Sequence, residues 1–195
     1  MNQVAVITGA ASGFGFELSK SLHAKGWTVY GADKDKVALK KLTSLGIKTL
    51  VMDVTSDSQV KNGFNKVIKN EDRIDLVVAN AGYGGFAGIE DLSHDAVRQM
   101  FEVNVFGVDR TIRAALPQLR KQRSGRIIVT ASVVAHVSLV GLGWYAATKH
   151  AVEAMANALR QEVKPLGIKV SVIEPGTVKT GFGKVAFDHL NEYRG

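Results

Sequence analysis

Short continuous apolar runs recur along the chain, separated by segments whose apolar residues return every three or four positions. The runs at 4–7 (Val-Ala-Val-Ile), 28–32 and 48–54 lie in the first third. Those at 75–79, 126–130 and 168–173 follow at wider intervals. The run at 4–7, and that at 75–79 after Asp75, are apolar with no polar alternation and predict strands buried on both faces of a parallel sheet, and the others read as further strands. Between them, Phe14, Leu18 and Leu22 predict a helix that stops at Lys25-Gly26, and Val60, Phe64, Val67 and Ile68 predict another. A long helix is expected over 93–119, with Ser93 as its cap. A further one is expected over 145–164, where Ala151, Met155, Ala158 and Leu159 form a packing stripe. Six strands alternating with helices predict one layered α/β domain over residues 1–195, a parallel sheet in the order 3-2-1-4-5-6 with helices on both faces.

Composition narrows the function classes. The 195 residues are 46% hydrophobic and 22% charged, which suits a folded domain and excludes a disordered chain. No apolar run reaches the roughly 18 residues a membrane span needs, and residues 1–7 carry no basic leader, so no membrane partner and a cytoplasmic location are expected. The absence of cysteine excludes disulfides and thiolate chemistry. A net charge of +7 raises nucleic acid as a partner. The densest basic cluster (Lys34, Lys36, Lys40, Lys41) has no interleaved aromatics, however, and reads as a solvated face.

Candidate chemistry begins directly after the first strand, at Thr8-Gly9-Ala-Ala-Ser12-Gly13-Phe14-Gly15. Glycines between a strand and a helix let the backbone turn tightly and approach a pyrophosphate, and the helix N-terminus favours its charge. Asp33 ends the second strand about 20 residues further on, where a carboxylate bonds an adenosine ribose and repels an added 2′-phosphate. That favours NAD, with NADP as the alternative because Lys34 is adjacent. Tyr145 and Lys149 share a helix face four residues apart, and a cation near a phenol favours the phenolate. Ser132 precedes a glycine-punctuated stretch that can return its hydroxyl to the tyrosine. Asn104, polar between Val103 and Val105, needs partners in the core or at a site. His136 and Trp144 flank this region and are candidates for shaping a pocket, whereas His150 reads as a surface or packing residue. The five histidines show no ligand spacing, so no metal is expected.

The glycine turn from Thr8 to Gly15, together with Ser132 and Tyr145-Ala-Ala-Thr-Lys149, resembles the short-chain dehydrogenase/reductase family over nearly the whole chain. The resemblance implies a Rossmann-like doubly wound sheet, a nicotinamide cofactor, and hydride transfer between an alcohol and a carbonyl. It makes Asn104, Ser132, Tyr145 and Lys149 the catalytic set, with Asn104 holding a water in a proton relay. It assigns cofactor contacts to Gly9, Ser12, Gly13, Phe14, Gly15 and Asp33, and to Asp53 and Val54 at the adenine. Further contacts fall to Asn80, Ala81 and Gly82, to Tyr145 and Lys149, and to Pro175, Gly176, Val178 and Thr180. Ala79 departs from the family's Asn-Asn-Ala-Gly element. The Ile173-Glu-Pro-Gly wording, with Leu159-Arg-Gln-Glu162 upstream, hints at apolar alcohols. Family members continue through a substrate lid and a seventh strand, which are not read here. After Thr180 only 187–193 reads as a short helix, so the chain is expected to be truncated, with a homo-oligomer left open. The rival expectation is a cofactor-binding regulatory or assembly protein without turnover.

Overall fold

The structure is a computed structural model, and it describes residues 2–176. Six strands form one parallel sheet in the order β3-β2-β1-β4-β5-β6, as the run pattern predicts. They are β1 (Val4–Thr8), β2 (Thr28–Asp33), β3 (Lys48–Val51), β4 (Leu76–Ala79), β5 (Gly125–Thr130) and β6 (Ile168–Ile173). Central β1 is buried along its whole length, and pairs Ala5 with Val29 on one side and with Leu76 on the other.

Alternation along each strand divides the core into two layers. Val4 and Val6 face a cluster that includes residues of α3 (Asp57–Glu71), α5 (Gly107–Gln122) and α6 (Gly143–Val163). Ala5 and Ile7 face the opposite cluster, with α1 (Gly13–Ala24) and α2 (Lys40–Thr43). The short α2 lies within the basic stretch that the apolar pattern passed over. Its Leu42 is buried while Lys40 and Lys41 remain exposed, consistent with a solvated basic face.

The helix expected over 93–119 is capped by Ser93, whose hydroxyl accepts from the Ala96 amide. It is not one regular helix. α4 (His94–Phe101) passes through a π-helical turn (Glu102–Phe106) into α5, and Asn104 sits in that turn. A π turn accommodates one more residue than an α turn and is frequent at functional sites.

The N-terminal rim of the sheet is tied by Asp75. Its carboxylate accepts from the Val4 amide at 2.8 Å and takes a two-pronged bond from Arg73. Its backbone pairs with Val4 and Arg126. The opposite rim, where all six strands end, carries every candidate group described below. Among the described residues, no helix is long and apolar enough to cross a membrane. Val178, Thr180 and the helix read over 187–193 lie outside the described residues.

Candidate active site

The strand order reverses beside β1, so the loops after β1 and β4 leave in different directions and open a crevice. Gly9 turns there at φ +66°, and a Cβ on it would meet Ala81 Cα at 2.8 Å. A Cβ on Gly15 would meet the Gly9 carbonyl oxygen at 2.3 Å. Those two glycines are therefore required by packing. Gly13, at φ +53°, instead faces open space. Ser12 caps α1 with extended backbone and makes no side-chain cap bond, which leaves first-turn N–H groups of the helix free of that partner. Open amides above a glycine cradle fit the pyrophosphate of a dinucleotide.

Below the turn, Thr8 and Asn80 lock three strands together. Thr8 Oγ1 donates to Val78 and accepts from the Asn80 and Ala81 amides. The Asn80 side chain donates to the Thr8 carbonyl at 3.0 Å and accepts from Thr130 at 3.3 Å. A cavity of about 150 Å³ lies beside it, lined by Phe14, Leu18, Val78, Asn80, Thr130, Ile173 and Pro175. Asp33 accepts from the amides of Ala11 at 3.1 Å and Asp35 at 3.0 Å, which holds its carboxylate at the edge of the glycine turn. Asp53 accepts from both the amide and the hydroxyl of Thr55, and buried Val54 packs where a Cβ on Gly107 would stand. Both follow β3, at the end of the crevice away from β5 and β6.

The four residues of the expected catalytic set converge at the ends of β5 and the start of α6. Ser132 leaves β5 in extended conformation and starts a 3₁₀ turn (Val133–Ala135). Its hydroxyl donates to the Pro175 carbonyl at 3.3 Å and stands near enough to the Tyr145 phenol to influence its titration. Tyr145 and Lys149 are 8% and 5% exposed. Lys149 Nζ lies 5.6 Å from the Tyr145 ring centre and donates to the Thr130 carbonyl at 2.9 Å. Burial pushes the Tyr145 phenol above its ordinary value, and the Ser132 hydroxyl pulls it back in part. Burial also lowers the Lys149 ammonium to about 8. The side-chain spacing suggests a lysine that depresses the tyrosine, but in the structure desolvation of both groups dominates.

Asn104 is fully buried and acts as a clamp. Its Oδ1 accepts from the Tyr83 amide, and its Nδ2 donates to the Tyr83 carbonyl and to Thr148. Thr148 in turn donates to the Tyr145 carbonyl at 2.7 Å. Both amide protons are thus used within the protein. Gly82 lies against the whole group, since a Cβ there would stand 3.1 Å from Asn104 Oδ1 and 3.6 Å from Lys149 Nζ.

Thr8, Thr130 and Thr148 complete this network; Thr8 opens the glycine motif, but none of the three is among the expected site residues. Thr148 lies inside the Tyr145-to-Lys149 motif, which was its available signal. Thr130 acts on Lys149 through its carbonyl, which residue identity does not reveal. Trp144, in the first turn of α6, donates to the Ile89 carbonyl and ties the helix start to the loop after β4, while a second loop leads into α6. Phe86, Ile89, Val137, Leu139 and Val140 on those loops are exposed. His136 contacts Glu174, and His150 contacts the Ala146 carbonyl of its own helix.

A family model described as short chain dehydrogenase matches residues 3–191. The 3-ketodihydrosphingosine reductase of Bacteroides thetaiotaomicron is 36% identical over 181 residues, covering 92% of this chain and 65% of its own. A short-chain dehydrogenase structure from Streptomyces avermitilis superposes with a TM-score of 0.88 at 34% identity, covering 92% of this chain and 68% of its own. A short chain dehydrogenase/reductase from Burkholderia phymatum in complex with NAD gives 0.89 at 29% identity, covering 100% and 70%. The chain spans about two thirds of the length of such curated relatives.

Proposed function

The chain belongs to the short-chain dehydrogenase family, and from that premise we propose that it is an NAD-dependent oxidoreductase interconverting an apolar alcohol and its carbonyl compound. The observation that carries the reading is the convergence of the Tyr145 phenol with Ser132 and buried Lys149, whose Nζ lies 5.6 Å from the tyrosine ring centre, at the mouth of the glycine-lined crevice. The Tyr145 phenol, raised further by burial, carries its proton at neutral pH and can pass it to a carbonyl oxygen. Ser132, whose hydroxyl donates to the Pro175 carbonyl, can turn that proton to the same oxygen. Lys149 brings positive charge to the tyrosine when alcohol is oxidised and the phenolate is needed. Asn104 and Thr148 hold the Tyr83 backbone and the first turn of α6 in register with this pair.

The cofactor, when bound, supplies or accepts the hydride. Gly9, Gly13, Gly15 and the N-terminus of α1 would hold its pyrophosphate, and Asp33 its adenosine ribose. Asp33 already accepts two amides, yet two carboxylate oxygens offer about four acceptor sites, so capacity for a ribose hydroxyl remains. The named ligand of the Burkholderia phymatum protein and the substrate class in the name of the Bacteroides thetaiotaomicron protein agree with this reading. Exposed Phe86, Ile89, Leu139 and Val140 on the loops that flank the start of α6 support an apolar substrate.

The test is a panel of straight-chain secondary alcohols and their ketones, following absorbance of the reduced cofactor with NAD and with NADP. kcat/KM should rise with chain length and be higher with NAD. A preference for short polar substrates overturns the apolar assignment, and tighter NADP binding overturns the role of Asp33. Saturable NAD binding without turnover of any substrate would instead favour the regulatory reading.

A further inference from the structure

Four residues past Ser132, His136 leaves the 3₁₀ turn and meets Glu174, with Nε2 and Oε1 2.5 Å apart. Glu174 follows β6 and immediately precedes Pro175. From α6, Glu153 reaches the same place, and one ligand atom from each of the three lies within 4.8 Å of the others. Three separate elements thus bring an imidazole and two carboxylates together, although nothing in the sequence spacing joins them.

Glu153 supplies the independent observation. Its Oε1 accepts from Asn157 at 2.9 Å, and Asn157 accepts from the Arg160 guanidinium, so the carboxylate is held along the helix. Its Oε2 is shut off from solvent and, among the described residues, has no hydrogen-bond partner. An unsatisfied buried acceptor is unfavourable, and a second carboxylate nearby adds like-charge repulsion. His136, even when protonated, sets one positive charge against two carboxylates. A dication would balance both.

We propose that His136, Glu153 and Glu174 form a binding site for one divalent transition-metal ion of the zinc or manganese class. One imidazole nitrogen with two carboxylate oxygens is a donor set suited to such ions, whereas magnesium and calcium favour oxygen alone. Bonds of about 2.1 Å in tetrahedral geometry place ligands about 3.4 Å apart, so the widest separation must shrink somewhat. Side-chain rotation can do this, because the His136 and Glu174 side chains are 57% and 35% exposed. Asn157 and Arg160 would orient Glu153 from behind, as outer-shell partners do. The ion would tie the turn that starts at Ser132, the end of β6 and α6 into one unit, and its binding does not depend on the proposed reaction.

The decisive measurement is calorimetric titration of Zn²⁺ and, separately, Mg²⁺ into the full chain after treatment with chelator. One equivalent of Zn²⁺ should bind, with a rise in Tm, and His136→Ala and Glu153→Gln should each weaken it at least tenfold. Both variants are checked for fold by circular dichroism, and exposed His136 decides alone should Glu153→Gln fail to fold. No saturable Zn²⁺ uptake, uptake that survives in His136→Ala, or Mg²⁺ binding as tight as Zn²⁺ would each overturn the proposal.

Discussion

Burial acts in opposite directions on the two titratable residues of the site, raising the Tyr145 phenol and lowering the Lys149 ammonium. Tyr145→Phe removes the transferable proton but keeps the ring in its apolar setting of Met100, Val134 and Ala146. Turnover should fall by about 10² to 10⁴, the usual worth of a positioned acid or base, while cofactor affinity measured by fluorescence titration stays nearly constant. Lys149 makes a separate prediction about stability. It titrates near 8 when folded and near 10.5 when unfolded, so below 8 both states hold the proton and the folded state bears the cost of burying it. Between these values the unfolded state holds more protons, and stability rises with pH. Between about pH 7 and pH 9.5, urea unfolding should show wild type gaining on Lys149→Met by roughly tenfold or more in the folding constant. Residue type and spacing made Ser132, Tyr145 and Lys149 legible in the sequence. They did not reveal that Asn104 spends its amide on the Tyr83 backbone and Thr148, because a main-chain partner leaves no pattern.

Among the elements, β1 and β4 were the most legible, since a strand covered on both faces must be apolar throughout, whereas edge strands β3 and β6 leave Lys48 and Lys169 exposed. The π turn at Glu102–Phe106 was hidden because an apolar stripe continues through it with nearly helical spacing. The four-residue α2 was hidden because a single turn has too few positions to show a period. The turn between β1 and α1 shows what glycine identity alone leaves open. Gly9 and Gly13 both have positive φ, yet only Gly9 is also pressed against a neighbouring backbone. Gly9→Ala combines conformational strain with an approach to Ala81 Cα that rigid backbone cannot relieve. It should cost more than Gly13→Ala, whose strain alone amounts to about 1–2 kcal/mol. Equilibrium urea denaturation of the two variants gives that ranking directly, and equal losses would mean that the Ala81 contact relaxes.

Across the whole molecule, parallel strands send the two rims of the sheet to different tasks. The C-terminal rim carries the glycine turn, Asp33, Asn80, Ser132 and Pro175, while the N-terminal rim carries Asp75, Arg73 and the start of β1. The order 3-2-1-4-5-6 was legible because alternating strands and helices admit few right-handed connections. The grouping of His136 with Glu153 and Glu174 was not, since it depends on how three distant elements pack. Asp75→Ala leaves the Val4 amide and Arg73 without their partner, and should cost about 1–3 kcal/mol in unfolding free energy. Cofactor affinity per folded molecule should stay unchanged, as isothermal titration would show. The same arrangement has a practical side. Asn2 and Gln3 enter β1 from the N-terminal rim and are exposed, and the strand then runs about 16 Å before reaching the crevice. A sensor surface or fusion partner attached at that end would therefore hold the molecule with its crevice facing away from the support.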